Sequence, residues 1–128
     1  MNKKIFLIVL MLLCVTVHGA RKYDVERGND LAHIEVARKI SALEDVKDAA
    51  VLSCEGRVLA GIRTKKDVDV NGITKKAEAM IKESFPKAKG CRLFVGDENA
   101  DKVIELSFYI DSGMNRRDLR KRFEFLMN

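Results

Sequence analysis

The alternation of apolar and polar positions is sharpest between Ala49 and Thr64. Ala49-Ala50-Val51-Leu52-Ser53-Cys54 and Val58-Leu59-Ala60-Gly61-Ile62-Arg63-Thr64 are apolar, partly β-branched runs, and the polar Glu55-Gly56-Arg57 separates them. That is the sequence form of an antiparallel β-hairpin. Two strands alone are marginal in water, so the hairpin needs a cover on its apolar face. Amphipathic stretches lie on both sides of it. Before it, Ile34, Ala37, Ile40 and Leu43 recur at helical spacing with Glu35, Arg38 and Lys39 facing away, and Asn29 or Asp30 can cap the helix. After it, Ile73, Ala77, Met80, Ile81 and Phe85 share one face opposite Lys75, Lys76, Lys82 and Glu83, and Pro86 ends the run.

The rest of the chain reads in the same way. Cys91-Arg92-Leu93-Phe94-Val95, bounded by Gly90 and Gly96, predicts a short third strand. Asp97 caps a helix over 98–110 with Val103, Ile104, Leu106, Phe108 and Ile110 as its apolar residues, and Asp111-Ser112-Gly113 breaks it. A last helix over 115–127 sets Leu119, Phe123 and Leu126 against a basic face. The expected fold is α+β: a single αββαβ domain over 30–110, followed by a C-terminal helical tail over 111–128. A crossover through the second helix returns a strand parallel to strand two. Placing that strand on the free edge of strand one gives the sheet order 2-1-3, with both helices on one face.

The first 19 residues are of a different kind. Asn2-Lys3-Lys4 is a positive start, Ile5 to Val17 is apolar, and Val17-His18-Gly19 suits cleavage after Gly19. This is the pattern of a secretory signal peptide, with an uncleaved anchor as the alternative. Residues 20–29 read as a polar, flexible lead-in. Cys14 follows Leu13 rather than a small residue, so it is not read as a lipidation site. Net charge is +5, and losing Lys3 and Lys4 with the leader lowers it by two. That mild excess suits an anionic surface and falls short of a nucleic-acid signature.

Export permits disulfides, and Cys54 and Cys91 remain in the mature chain. In the 2-1-3 sheet they meet, at the end of strand one and the start of strand three. A Cys54–Cys91 bond is therefore expected, with two separate thiols as the alternative. His33 has no second histidine or acidic partner at metal-ligand spacing. Glu44, Asp45 and Asp48 form an acidic cluster without the spacing of a calcium loop. A Cys54–His33 nucleophile pair is formally possible. No phosphate loop, Ser-His-Asp set or paired-cysteine motif occurs, so no enzyme activity, cofactor or metal is expected.

Three segments carry a family resemblance. Ile34-Glu35-Val36-Ala37-Arg38-Lys39-Ile40, the joint Leu43-Glu44-Asp45-Val46-Lys47-Asp48-Ala49-Ala50-Val51, and Val58-Leu59-Ala60-Gly61-Ile62 resemble the YhcN/YlaJ family of sporulation lipoproteins. Cys91 to Val95 with Asp97 to Ile110 resembles that family's last strand and helix. The resemblance spans Ile34 to Ile110. It implies an exported envelope protein with a role in sporulation or germination and no active-site residues. Cys54 and the missing lipidation site depart from the family pattern. The same joint is found in BON domains, in ring-building motifs of secretion machines and in heavy-metal-associated domains. The last carry a Cys-x-x-Cys pair that residues 20–33 lack.

The expected function is binding, to membrane, cortex or protein, in the cell or spore envelope; a self-assembling ring-building or BON-like module is the alternative. The candidate binding residues lie on the last helix: Arg116, Arg117, Arg120, Lys121, Arg122 and Phe123. A basic amphipathic helix can lie on an anionic membrane or dock on a partner. Its short apolar stripe can equally pack on its own domain.

Overall fold

The computed structural model describes Val25 and residues 31–128. The expected leader, Cys14 and the Asn29/Asp30 cap lie outside the described residues. The elements are α1 (Leu31–Ser41), β1 (Val46–Cys54), β2 (Arg57–Thr64), α2 (Val70–Ser84), β3 (Gly90–Val95), α3 (Glu98–Ser112) and α4 (Arg116–Met127).

Local chemistry sets most of these boundaries. Glu55 (φ 53°) and Gly56 (φ 78°) are both left-handed, making a two-residue turn whose twist matches that of the strands it joins. The Asp69 carboxylate accepts from Gly72 N–H at 3.2 Å and starts α2. Asp97 accepts from Ala100 N–H at 2.8 Å and starts α3. Asn115 accepts from Asp118 N–H at 2.9 Å and starts α4. Gly113, at φ 87°, closes α3 with a left-handed cap.

The sheet departs from the expected order. It runs β1-β2-β3, with β1–β2 antiparallel and β2–β3 parallel. Strand two, not strand one, is central. The crossover through α2 places β3 directly beside β2, pairing Ala60 with Leu93 and Ile62 with Val95. The physical reason lies in β2 itself. Val58, Leu59, Ala60, Gly61 and Ile62 are all buried. A strand apolar at successive positions must be covered on both faces, as central strands of parallel pairs are. β1 carries Lys47, Asp48 and Ser53 and has an irregular register between Val46 and Asp48, which suits an edge.

Each sheet face has its own core. Val51, Val58, Ala60, Ile62 and Val95 face α1 and α2, meeting Val36, Ile40, Ile73, Ala77 and Ile81. Ala50, Leu52, Cys54 and Leu59 face α3 and α4, meeting Val103, Ile104, Leu106, Leu119, Phe123 and Leu126. The first two helices do share one face, as expected. The C-terminal helix is no tail, because it closes the second face together with α3, and Val25 joins that core at 7% exposure. The buried side of α1 is turned from the expected stripe: His33, Val36 and Ile40 are buried, while Ile34, Ala37 and Leu43 are half-buried.

Gly61 fixes how closely α3 lies on β2. A Cβ there would stand 2.6 Å from Val103 Cβ and 2.7 Å from the Ala100 carbonyl oxygen. The α3 backbone rests on the bare peptide of the central strand.

Candidate functional site

The two cysteines are apart. Cys54 lies on β1 and belongs to the α3–α4 core, whereas Cys91 lies on β3 and is exposed. Neither is in a disulfide. The expected Cys54–Cys91 bond fails because β2 stands between their strands and their side chains point to opposite faces of the sheet. Cys91 pairs in register with Val58 and so shares the face of α2, while Cys54 faces α4. Burial in the core pushes the Cys54 thiol above its ordinary pKa, and partial desolvation beside Glu78 and Lys82 of α2 moves the solvent-accessible Cys91 thiol the same way. Native protein is expected to release one thiol equivalent of these two to Ellman's reagent, from Cys91, and both after unfolding. Neither reacting in unfolded, unreduced protein would restore the bond.

His33 is buried at 3% exposure, where its Nε2 lies 2.7 Å from Ser53 Oγ and its ring 5.0 Å from that of Phe85. It docks α1 onto β1 and is separated by the sheet from Cys54. A Cys54–His33 pair is therefore excluded. Asp48 of the acidic joint is drawn to Arg63 at 3.6 Å, and Arg63 also donates to Asp101 at 3.0 Å. The Asp45 carbonyl accepts from Lys65 N–H at 2.9 Å. Among the described residues no three metal-ligating side chains cluster.

The α4 candidates separate into two groups. Phe123 is fully buried, and Leu119 and Leu126 are buried beside it. Expecting Phe123 to meet an outside surface is thus corrected: the stripe fits the sheet face better than water, and the domain takes it. Arg120 joins it in an inward role, pairing with Glu55 of the hairpin turn. Arg57 donates to Glu124, with one contact at 3.1 Å, and lies 5.7 Å over the Phe123 ring. The Arg57 guanidinium holds the Glu124 carboxyl below its usual range. These two pairs clamp α4 to the hairpin tip, and Glu55 is held where its left-handed backbone places it.

Arg116, Arg117, Lys121 and Arg122 are exposed. Of these, Lys121 and Arg122 line a feature that the sequence did not reveal, a groove of about 590 Å³ between α3 and α4. Leu106 and Leu126 line it, and Tyr109 and Phe125 stand along it. Arg122 lies 4.9 Å over the Tyr109 ring, and Lys102 lies 6.0 Å from the Phe125 ring. These contacts run in opposite senses along the two helices, which are antiparallel. The Tyr109 hydroxyl donates to Glu105, and this raises the phenol pKa. Phe125 is 73% exposed, the most open of the large apolar side chains described. The spacing of Leu119, Phe123 and Leu126 showed which side of α4 is apolar. That Phe125 falls outside this stripe was the one available signal for an outward aromatic.

The two helices differ in charge as wholes, while the groove itself is lined by Lys102 and Glu105 from α3 and by Asp118, Lys121 and Arg122 from α4. α3 carries Glu98, Asp101, Glu105 and Asp111 against Lys102. α4 carries Arg116, Arg117, Arg120, Lys121 and Arg122 against Asp118 and Glu124. An acidic helix lies beside a basic one, with an exposed aromatic between them. No protein-family model matches the chain, and no curated protein is similar to it in sequence.

Proposed function

We propose that this is an exported, non-enzymatic envelope protein, of the kind its resemblance to sporulation lipoproteins implies, which works by holding a protein partner against the α3–α4 face. The observation that carries this reading is Phe125, 73% exposed between helices of opposite charge. An exposed aromatic rimmed by charge is what the centre of a protein interface requires. A bilayer fits less well. The apolar stripe of α4 is spent on the core, and the carboxylates of α3 would be repelled by anionic headgroups that attract α4. Export rests on the leader pattern at 1–19, and a role in sporulation or germination rests on the resemblance. No described helix is long and apolar enough to cross a membrane.

The test is a photo-crosslinking amino acid at position 125 in the producing cell, with Lys76 on the exposed side of α2 as the reference position. A discrete protein adduct from position 125 and none from 76 is expected. Adducts to lipid alone, or none at 125, would overturn the reading.

A further inference from the structure

We propose that the free edge of β3 pairs with the β3 edge of a second copy, antiparallel about a two-fold axis at Leu93, so that two three-stranded sheets join into one. Successive strand residues point their backbone groups to alternate edges. Gly96 N–H donates to the Ile62 carbonyl at 2.9 Å, with Val95 opposite Ile62 in the ladder, so the even-numbered residues of β3 bond to β2. Cys91, Leu93 and Val95 therefore turn their N–H and C=O groups away from β2. β3 is an outer strand of the sheet, and none of these groups has a backbone partner among the described residues. A row of this kind is what an added strand satisfies. The two edges of the sheet are not alike. β1 carries Lys47, its register slips between Val46 and Asp48, and Asp45 before it is left-handed at φ 69°. Those features keep a second strand off. β3 has an unbroken register with β2 and one charge, Arg92, which leans over Phe94 at 5.2 Å and donates to the Met127 carbonyl at 3.3 Å.

The occupant follows from what β3 meets in its own image. In a ladder centred on Leu93, Leu93 faces Leu93 of the second copy, Cys91 faces Val95, Arg92 faces Phe94 and Gly90 faces Gly96. Every outward N–H then finds a C=O, and the reverse, with none left over. Each Arg92 gains a ring of the type it already covers in its own chain. Glycines at both ends leave no side chain to collide. The antiparallel sense also brings the exposed Lys87 and Lys89, before one β3, beside the exposed Asp97 and Glu98 that follow the other. Lys87, Lys89 and Glu98 are in no ion pair among the described residues, and Asp97 caps α3 through one oxygen. Beside Cys91, α2 offers Glu78 and Lys82, one of each sign, so no like-charged wall stands at the edge. Pairing β3 with β1 of the next copy would need the guarded edge and would run on without closing, whereas β3 on β3 closes at two copies. The six residues of β3 run about 20 Å. So short a ladder makes the association concentration-dependent rather than permanent. No residue of β3 lines the α3–α4 groove, so this inference is independent of the function proposed above.

The test is mass by light scattering over a dilution series, on the full chain recovered from an exporting host, for wild type, Cys91→Ser and Cys91→Pro. Proline at 91 removes an outward N–H that the chain itself does not use, the side chain it replaces is exposed, and Gly90 before it is already in the strand. Unchanged melting by circular dichroism checks that the variant is folded. The expected result is a mass rising toward twofold with concentration for wild type and Cys91→Ser, and a single-copy mass for Cys91→Pro throughout. A second variant tests the register without depending on the proline: Leu93→Cys, made in the Cys91→Ser background. Facing Cα atoms at such a position lie about 5.5 Å apart, within disulfide reach. Oxidised glutathione should therefore give a covalent dimer on a non-reducing gel. In wild type the two Cys91 residues stand about 14 Å apart along the ladder, and no covalent dimer is expected. A wild type that stays at single-copy mass, a folded Cys91→Pro chain that associates as wild type does, or a Leu93→Cys chain that gives no covalent dimer would each overturn the inference.

Discussion

Phe123→Ala is expected to cost about 3–5 kcal/mol of stability, the usual loss when a fully buried aromatic is truncated. Total stabilities of small domains are about 5–15 kcal/mol. The variant should therefore unfold at much lower urea and melt well below wild type. The reason is specific to this chain. Phe123 is fully buried among Leu119, Leu126, Leu59 and Cys54, and Arg57 lies over its ring. Removing the ring opens a cavity under the Arg57–Glu124 and Arg120–Glu55 clamps, and loosens α4 from the hairpin tip. Phe125→Ala, two residues on, should change monomer stability by less than about 0.5 kcal/mol, because that ring is already in water. Urea unfolding followed by circular dichroism gives both numbers. A near-neutral Phe123→Ala would mean that α4 is a detachable tail after all, and the two-sided core would fall with it.

Gly61→Val is the second substitution with a large expected effect. Even one Cβ at this position would overlap Val103 Cβ and the Ala100 carbonyl oxygen. Neither atom is the end of a flexible side chain; one is backbone and the other is the branch point of a buried valine. α3 must lift from β2, and the cost should reach about 3 kcal/mol, at the upper end for overpacking. Gly90→Ala provides the contrast. Its Cβ would meet only Arg57 Cγ, at 3.9 Å, so the change should be within about 0.5 kcal/mol. Equal tolerance at Gly61 and Gly90 would show that α3 does not rest on the central strand.

What the sequence made legible was local. The turn within Glu55-Gly56-Arg57, the cap at Asp97 and the stop at Pro86 depend on a few neighbouring residues, while the structure shortens the turn to Glu55-Gly56 and makes Asn115 the cap of the last helix rather than its first residue. The helical faces at Ile73, Ala77 and Ile81 and at Leu119, Phe123 and Leu126 follow from spacing alone. Strand order depends on something else, which strand has a neighbour on each side. Both β1 and β2 are covered on both faces, but the buried run of β2, Val58-Leu59-Ala60-Gly61-Ile62, is the longer and is unbroken, whereas that of β1 is confined to Ala50-Val51-Leu52 beside Lys47, Asp48 and Ser53. Reading β1 as central put Cys54 beside Cys91, and that error produced the expected disulfide. The fate of the α4 stripe was not legible, because Leu119, Phe123 and Leu126 suit a bilayer, a partner or a sheet equally well. Only the second apolar face of β2 decides between them. The groove was harder still. It joins Lys102, Glu105 and Tyr109 to Lys121, Arg122 and Phe125 across a helix hairpin, and no one helix shows it.

Inward and outward aromatics on the same helix thus separate two roles. Phe123 holds the fold together, and Phe125 is left for contact. The chain contains no tryptophan, so Phe125→Trp places its one indole on the groove, where it can be excited apart from the two tyrosines. In dilute solution the indole should emit as a solvent-exposed group, and its spectrum should shift to the blue when the protein captured through position 125 is added and the face closes. Emission that remains red with that protein present, or is already blue without it, would contradict a face that is open in the free chain and covered by its partner.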